Sequence, residues 1–203
     1  MLAAGLELFG TKGYASTTVD EVARRAHVST RNFYEEFENR LDLLVAVGER
    51  IAAEAFAALT TMQIPVAHTG DGSADGTRNG SGAAAAARFR GRMAALVHTL
   101  VDDPRVARVA FVETLAIDPV DGSKRHDTLR IFPEWIGTFL RDHLDGLGIP
   151  PGRQRALATG AFGACYERIS DWVRSPDARD PAGVDDLVDD VVELATVILR
   201  LPG

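Results

Sequence analysis

Apolar residues recur at three- and four-residue intervals along almost the whole chain, and nowhere do they settle into alternation. That spacing lines up one face of a helix, whereas a half-buried strand needs a period of two. The two dipeptides suited to a hairpin, Asp71-Gly72 and Asn79-Gly80, sit in a polar tract and not between β-branched runs. The chain is therefore expected to be all-α, with about nine helices read from this pattern.

Four helical stretches precede the polar tract. Leu2, Leu6 and Phe9 share a face, and Gly13 ends that helix. Thr18-Val-Asp-Glu21 is a capping box, in which threonine hydroxyl and glutamate carboxylate satisfy each other's backbone donors. Val19, Val22, Ala23 and Ala26 follow on one face. Ser29 caps a short helix whose Phe33 and Phe37 point one way, and Asn39 caps a longer one carrying Leu41, Leu44, Val45, Ile51, Ala52 and Ala55.

The tract from about Gln63 to Gly82, rich in Gly, Ser, Thr and Asp, reads as a flexible linker or loop. Five helices should follow it. One runs from Ala83 to Val101. Asp103-Pro104 forms an N-cap and first-turn pair for the next, which holds Val106, Val109, Ala110 and Phe111. A third spans about Lys124 to Leu147, with Pro133 kinking or splitting it. Pro150-Pro151 opens a fourth, to about Arg174, and the last spans Val184 to Leu201. The expected organisation is a domain over 1–47, a connecting helix to about 61, and a second helical domain over 48–203 with its flexible tract at 63–82.

The second and third helices, joined through His27-Val-Ser29, have the layout of a helix-turn-helix. Thr30-Arg-Asn-Phe-Tyr-Glu-Glu-Phe37 would be the helix that enters a DNA major groove. Arg31 suits guanine and Asn32 suits adenine. Tyr34 can stack on sugar and donate to phosphate. The helix ends at Thr18 and Asn39 offer backbone N–H groups where phosphate can bind, with Arg40 beside the second. On spacing alone, three such helices serve equally well as a structural subdomain.

Charge argues the other way. The whole chain carries −7, and residues 1–50 hold six basic groups (Lys12, Arg24, Arg25, Arg31, Arg40, Arg50) against eight acidic ones. A DNA grip must come from local placement and not from a basic field.

The wording of the segment is more specific than its spacing. Leu8-Phe-Gly-Thr-Lys-Gly-Tyr14, Thr17-Thr-Val-Asp-Glu-Val-Ala23, Ala26-His-Val-Ser29, Phe33-Tyr34, Phe37 and Leu43-Leu44 together resemble the N-terminal domain of the TetR (tetracycline-repressor-like) family. The resemblance covers about Leu2 to Val47. It implies an all-helical homodimer that binds double-stranded operator DNA and responds to a small apolar or aromatic effector. It places Thr18 and Arg40 at phosphate-contacting positions and Thr30, Arg31 and Asn32 at base-reading positions, with Ser29, also a DNA-binding candidate, capping that helix. Tyr34 matches the family's groove tyrosine. Glu35 and Glu36 depart from the pattern, since relatives often carry His, Tyr or basic residues there. The short basic arm common upstream of the first helix is also missing.

The C-terminal half carries no strong motif. Ala158, Ala161, Ala164, Cys165, Ile169 and Trp172 on one helix, with Leu187, Val191, Leu194 and Ile198 on the last, suit a four-helix bundle with a second subunit. Ordinary core within one chain is the alternative. An effector pocket between the helices would draw on Phe89, Met93, His98, Phe111, Glu113 and Leu115. Phe132, Trp135, Phe139, Phe162 and Tyr166 complete that set. Glu113 and His98 stand out because a titratable group on an apolar face needs a partner. Arg88, Arg92 or Arg130 would be the plain choice.

No catalytic, metal or cofactor site is expected. A phosphate-binding Gly-rich loop is missing, and the histidines at 27, 68, 98, 126 and 143 have no metal-ligand spacing. Cys165, the one cysteine, fits a reduced cytoplasm, and no apolar run suggests a membrane span. The reading is a repressor released from a pseudo-palindromic operator by its effector. The rivals are an activator or DNA-organising protein without a ligand, and a helical enzyme or partner-binding module.

Overall fold

A computed structural model describes residues 1–61, 77–114, 149–175 and 182–199. Each described element is a helix, and most of the helix ends trace to particular residues. Helix α1 (Leu2–Lys12) stops where Gly13 takes φ 91°, a conformation an L side chain enters only with strain. The Gly13 N–H closes back on the Phe9 carbonyl at 3.1 Å. Helix α2 (Val19–Arg25) starts at the expected box: Thr18 Oγ1 accepts from the Glu21 N–H, and the Glu21 carboxylate accepts from the Thr18 N–H at 2.9 Å. Ser29 Oγ accepts from the Asn32 N–H at 3.1 Å to begin α3 (Thr30–Glu36). Asn39 Oδ1 accepts from Leu41 and Asp42 N–H at 2.8 and 3.0 Å to begin α4 (Arg40–Thr61).

The apolar faces of these four helices meet in one cluster around Phe9, Val22, Phe33, Leu43, Leu44 and Val47. Fully burying a side chain of this size contributes roughly 1.5–3 kcal/mol, so the cluster suffices to fix α3 against α1 and α4. It also contains Val109 from the other half of the chain.

Helix α5 spans Thr77–Val101. Its start at Thr77 corrects the expectation of linker up to Gly82. The alanine run 83–87 is a strong helix former, and extending an existing helix costs far less than nucleating one. The rest of the expected linker, 63–76, and the expected helix at 124–147 lie outside the described residues.

Asp103 caps α6 (Pro104–Arg108), accepting from the Arg105 N–H at 2.9 Å. The segment then continues as one π-helical turn, Val109–Glu113, where sequence reading expects plain α-helix. Thr114 N donates to Val109 O at 3.2 Å, one residue further back than in an α-helix.

Helices α7 (Pro151–Arg174) and α8 (Ala182–Leu199) pack along each other and, with α5, form the second core. Part of the face expected to meet a second subunit is covered within the single chain. Ala158, Ala161, Cys165, Ile169, Trp172, Leu187 and Val191 are already buried within the single chain. Periodicity marks an apolar face but not what covers it, and a neighbouring helix of the same chain covers this one. Ala164, Leu194 and Ile198 stay half-buried. Burial pushes the Cys165 thiol up to about 11, so it is an inert core group. Among the described residues no helix is long and apolar enough to cross a membrane.

Candidate nucleic-acid interface

Helix α3 has two unlike sides. Phe33 is fully buried and packs against Phe37 with ring centroids 5.7 Å apart. The opposite edge is open: the Arg31 side chain is 88% exposed, Tyr34 is 59% exposed, and Asn32, Glu35 and Glu36 are exposed. Tyr34 stands edge-on to Phe33, 5.4 Å between centroids at 84°, which props its ring outward. Thr30 is half-buried at the start of the helix, and Ser29 and Asn32 bond to each other side chain to side chain. The connecting turn contains His27 at φ 57°.

Much of the local positive charge is already engaged. Arg31 Nε donates to Glu35 at 3.1 Å, Lys12 to Glu21 at 2.5 Å, Arg25 Nε to Glu7 at 2.8 Å and Arg50 Nε to Glu54 at 2.8 Å. The Lys12 ammonium, with the Thr18 amide and hydroxyl behind it, holds the Glu21 carboxyl down to about 2. The Arg25 guanidinium likewise lowers Glu7.

The two features expected to contact phosphate also make contacts within the chain. Arg40 is turned into the protein, where Nη1 donates to the Tyr14 and Thr17 carbonyls and the guanidinium lies 5.0 Å from the Tyr14 ring centroid. Buried carbonyls at the end of the α1–α2 turn need donors, and Arg40 supplies them. The N–H groups of Thr18, Glu21, Leu41 and Asp42 are taken by Glu21, Thr18 and Asn39, so part of each helix end is satisfied by its own side chains. Thr18 itself remains exposed.

Residues 1–47 match the family model for bacterial regulatory proteins of the tetR family. Over these residues the chain is similar to the N-terminal domain of that family. The fold of the whole chain is similar to solved TetR-type regulators. FadR of Bacillus halodurans, a fatty acid degradation regulator, aligns with a TM-score of 0.68 at 16% identity, over 98% of this chain and 92% of its own. FadR of Bacillus subtilis, solved in complex with stearoyl-CoA, gives 0.64 at 18%, over 98% and 94%. SmeT, the repressor of the Stenotrophomonas maltophilia multidrug efflux pump SmeDEF, gives 0.64 at 17%, over 98% and 86%. The sequence matches no curated protein.

Beyond residues 1–47, the described effector candidates separate into three groups. Phe111 and Tyr166 (5.1 Å between centroids) and Tyr166 and Phe162 (5.6 Å) form an aromatic cluster, and Met93 and Phe89 belong to the same core. His98 instead lies half-exposed on α5, 3.0 Å from Asp102. Of the arginines expected to hold Glu113, Arg130 lies outside the described residues. The Glu113 carboxylate accepts from Arg108 Nε and from the Tyr14 N–H, both at 2.8 Å. Leu115, Phe132, Trp135 and Phe139 lie outside the described residues. Sequence reading missed Arg108 because the pair it makes with Glu113 is useful only against Thr11 and Tyr14, which are remote along the chain.

Proposed function

We propose that the protein is a transcription regulator that binds a pseudo-palindromic operator as a homodimer and represses until a small apolar or aromatic effector releases it. The observation that carries the DNA reading is the open edge of α3, with Arg31, Asn32 and Tyr34 displayed on a helix whose other side is locked by Phe33. Thr18, Ser29 and Thr30 flank that edge, and Arg40 acts behind it as a buttress. Two such edges about one DNA turn apart, roughly 34–36 Å, fit successive major grooves. The role is one of binding and not catalysis, and it belongs in the cytoplasm with the genome.

Selection of bound duplex from a random library tests this. An inverted repeat with half-sites one turn apart is the expected result. Failure to enrich any sequence at low salt overturns it.

The effector reading is supported by the aromatic cluster of Phe111, Phe162 and Tyr166 and by the stearoyl-CoA held by one structural neighbour. Thermal shift with acyl-CoAs and planar aromatic compounds tests it. Stabilisation by one class, with loss of DNA from the same sample, is expected. Intact DNA binding with no stabilisation by any of them would mean that the protein acts without a ligand.

A further inference from the structure

Glu113 is an acidic side chain only 8% exposed, at the end of the π-helical turn. Both its oxygens are engaged, one directly and one through Arg108, with the other half of the chain. Oε2 accepts from the Tyr14 N–H, and Oε1 accepts from Arg108, whose Nη1 donates onward to the Thr11 carbonyl at 3.0 Å. The pair thus grips both sides of the turn that ends α1 and leads into α2. The fit is tight: a Cβ on Gly13 would lie 2.8 Å from Arg108 Nη2.

The same π-turn is held from its other side by the aromatic cluster. The Tyr166 hydroxyl donates to the Ala110 carbonyl at 3.3 Å, and Thr114 Oγ1 donates to that carbonyl at 2.7 Å. Ala110 O is the acceptor that Thr114 N would use in an α-helix. Here Thr114 N reaches Val109 O instead. The Tyr166 hydroxyl and Thr114 Oγ1 therefore share the acceptor on which the α register depends. Rewinding from π to α would turn the residues beyond the bulge by about 100°, the angle per residue of an α-helix. Glu113 would then swing off Tyr14.

We infer that Val109–Glu113 is a two-register coupling element between the aromatic cluster and the DNA-binding half. In the observed register Tyr166 pins Ala110 and Glu113 pins Tyr14. A ligand that displaces the Tyr166 hydroxyl frees the turn to rewind and releases the α1–α2 turn. Its regulatory purpose rests on the function proposed above, but its mechanics do not. Coupling between two sites requires an element with two registers that both sides bias.

Amide hydrogen exchange of the full chain, read by NMR without DNA or effector, tests it. Tyr166→Phe keeps the rings and removes only the hydroxyl. Exchange at the Tyr14 amide should rise about tenfold, with core amides such as Val22 and Leu44 unchanged. Glu113→Gln should produce a similar rise at Tyr14, and the double variant should add little more. Deleting the exposed Val112, which removes the extra residue of the π-turn, should match them. The inference is overturned if Tyr14 is as protected in Tyr166→Phe or the Val112 deletion as in the wild type. It is equally overturned if exchange rises uniformly through the core. Failure to bind any duplex would count against the regulator reading alone, because this readout uses no DNA.

Discussion

His27 sits at φ 57° in the turn between α2 and α3, where an L side chain crowds its own carbonyl. His27→Gly removes that crowding and loses part of the gain to the greater freedom of glycine when unfolded. The expected outcome is a gain of about 0.5–1 kcal/mol in urea unfolding, the balance of those two effects. Arg31 and Glu35 make an opposite test. The pair is exposed and mutually bonded at 3.1 Å, so DNA must compete with Glu35 for the guanidinium. Arg31→Ala should cost about 1–3 kcal/mol on the selected operator and relax one base position. Glu35→Gln should tighten binding two- to five-fold, since an exposed pair is worth about 0.2–1 kcal/mol. Titration against operator and scrambled duplex checks both. Equal loss on every sequence would make Arg31 a phosphate contact only.

At the scale of elements, α1 approaches α6 so closely at Gly10 that a Cβ there would lie 2.5 Å from Arg105 Cβ and 2.7 Å from its Cα. Backbone cannot move aside as a flexible side-chain end can. Gly10→Ala should therefore cost about 1–3 kcal/mol, the usual range for overpacking, and loosen the seam between the halves. Chemical denaturation checks the first effect, and hydrogen exchange at α1 the second. The α2 capping box sets a pH dependence. Glu21 is held near 2 when folded, below its ordinary 4.5, by Lys12 first and then Thr18. A carboxylate whose folded value is depressed stabilises fully above the unfolded value, and the benefit fades as pH falls through the folded one. Stability should thus decline between about 4.5 and 2, and Glu21→Gln should flatten part of that decline in thermal melts across the range. The caps were legible in advance because Thr18, Ser29, Asn39 and Asp103 act on backbone two or three residues away. The π-turn was not, because Val109–Glu113 has an ordinary helical pattern and its register depends on Tyr166, 56 residues from Ala110.

For the whole molecule, the two cores are continuous through α4 and the π-turn, so the DNA-binding half is not a detached module. The proposed homodimer must use surface that the chain leaves uncovered. Val197 on α8 is 70% exposed, and Gly160 and Gly163 on α7 have open space where a Cβ would stand. Val197→Glu is expected to shift sedimentation from dimer toward monomer and to weaken binding to paired half-sites more than to a single one. An unchanged dimer would place the twofold contact on another face.

The order of helices, their caps and the outward edge of α3 follow from the sequence, because each depends on neighbours within one or two turns. Tertiary structure alone decided what covers each apolar face and where each charged group is spent. Arg40 turned inward to Tyr14 and Thr17, the Ala158 to Trp172 stripe met α8 of its own chain, and Glu113 reached an amide 99 residues away. Period and propensity are properties of short segments, whereas a buried carboxylate is satisfied by whichever donor the packing brings within about 3 Å.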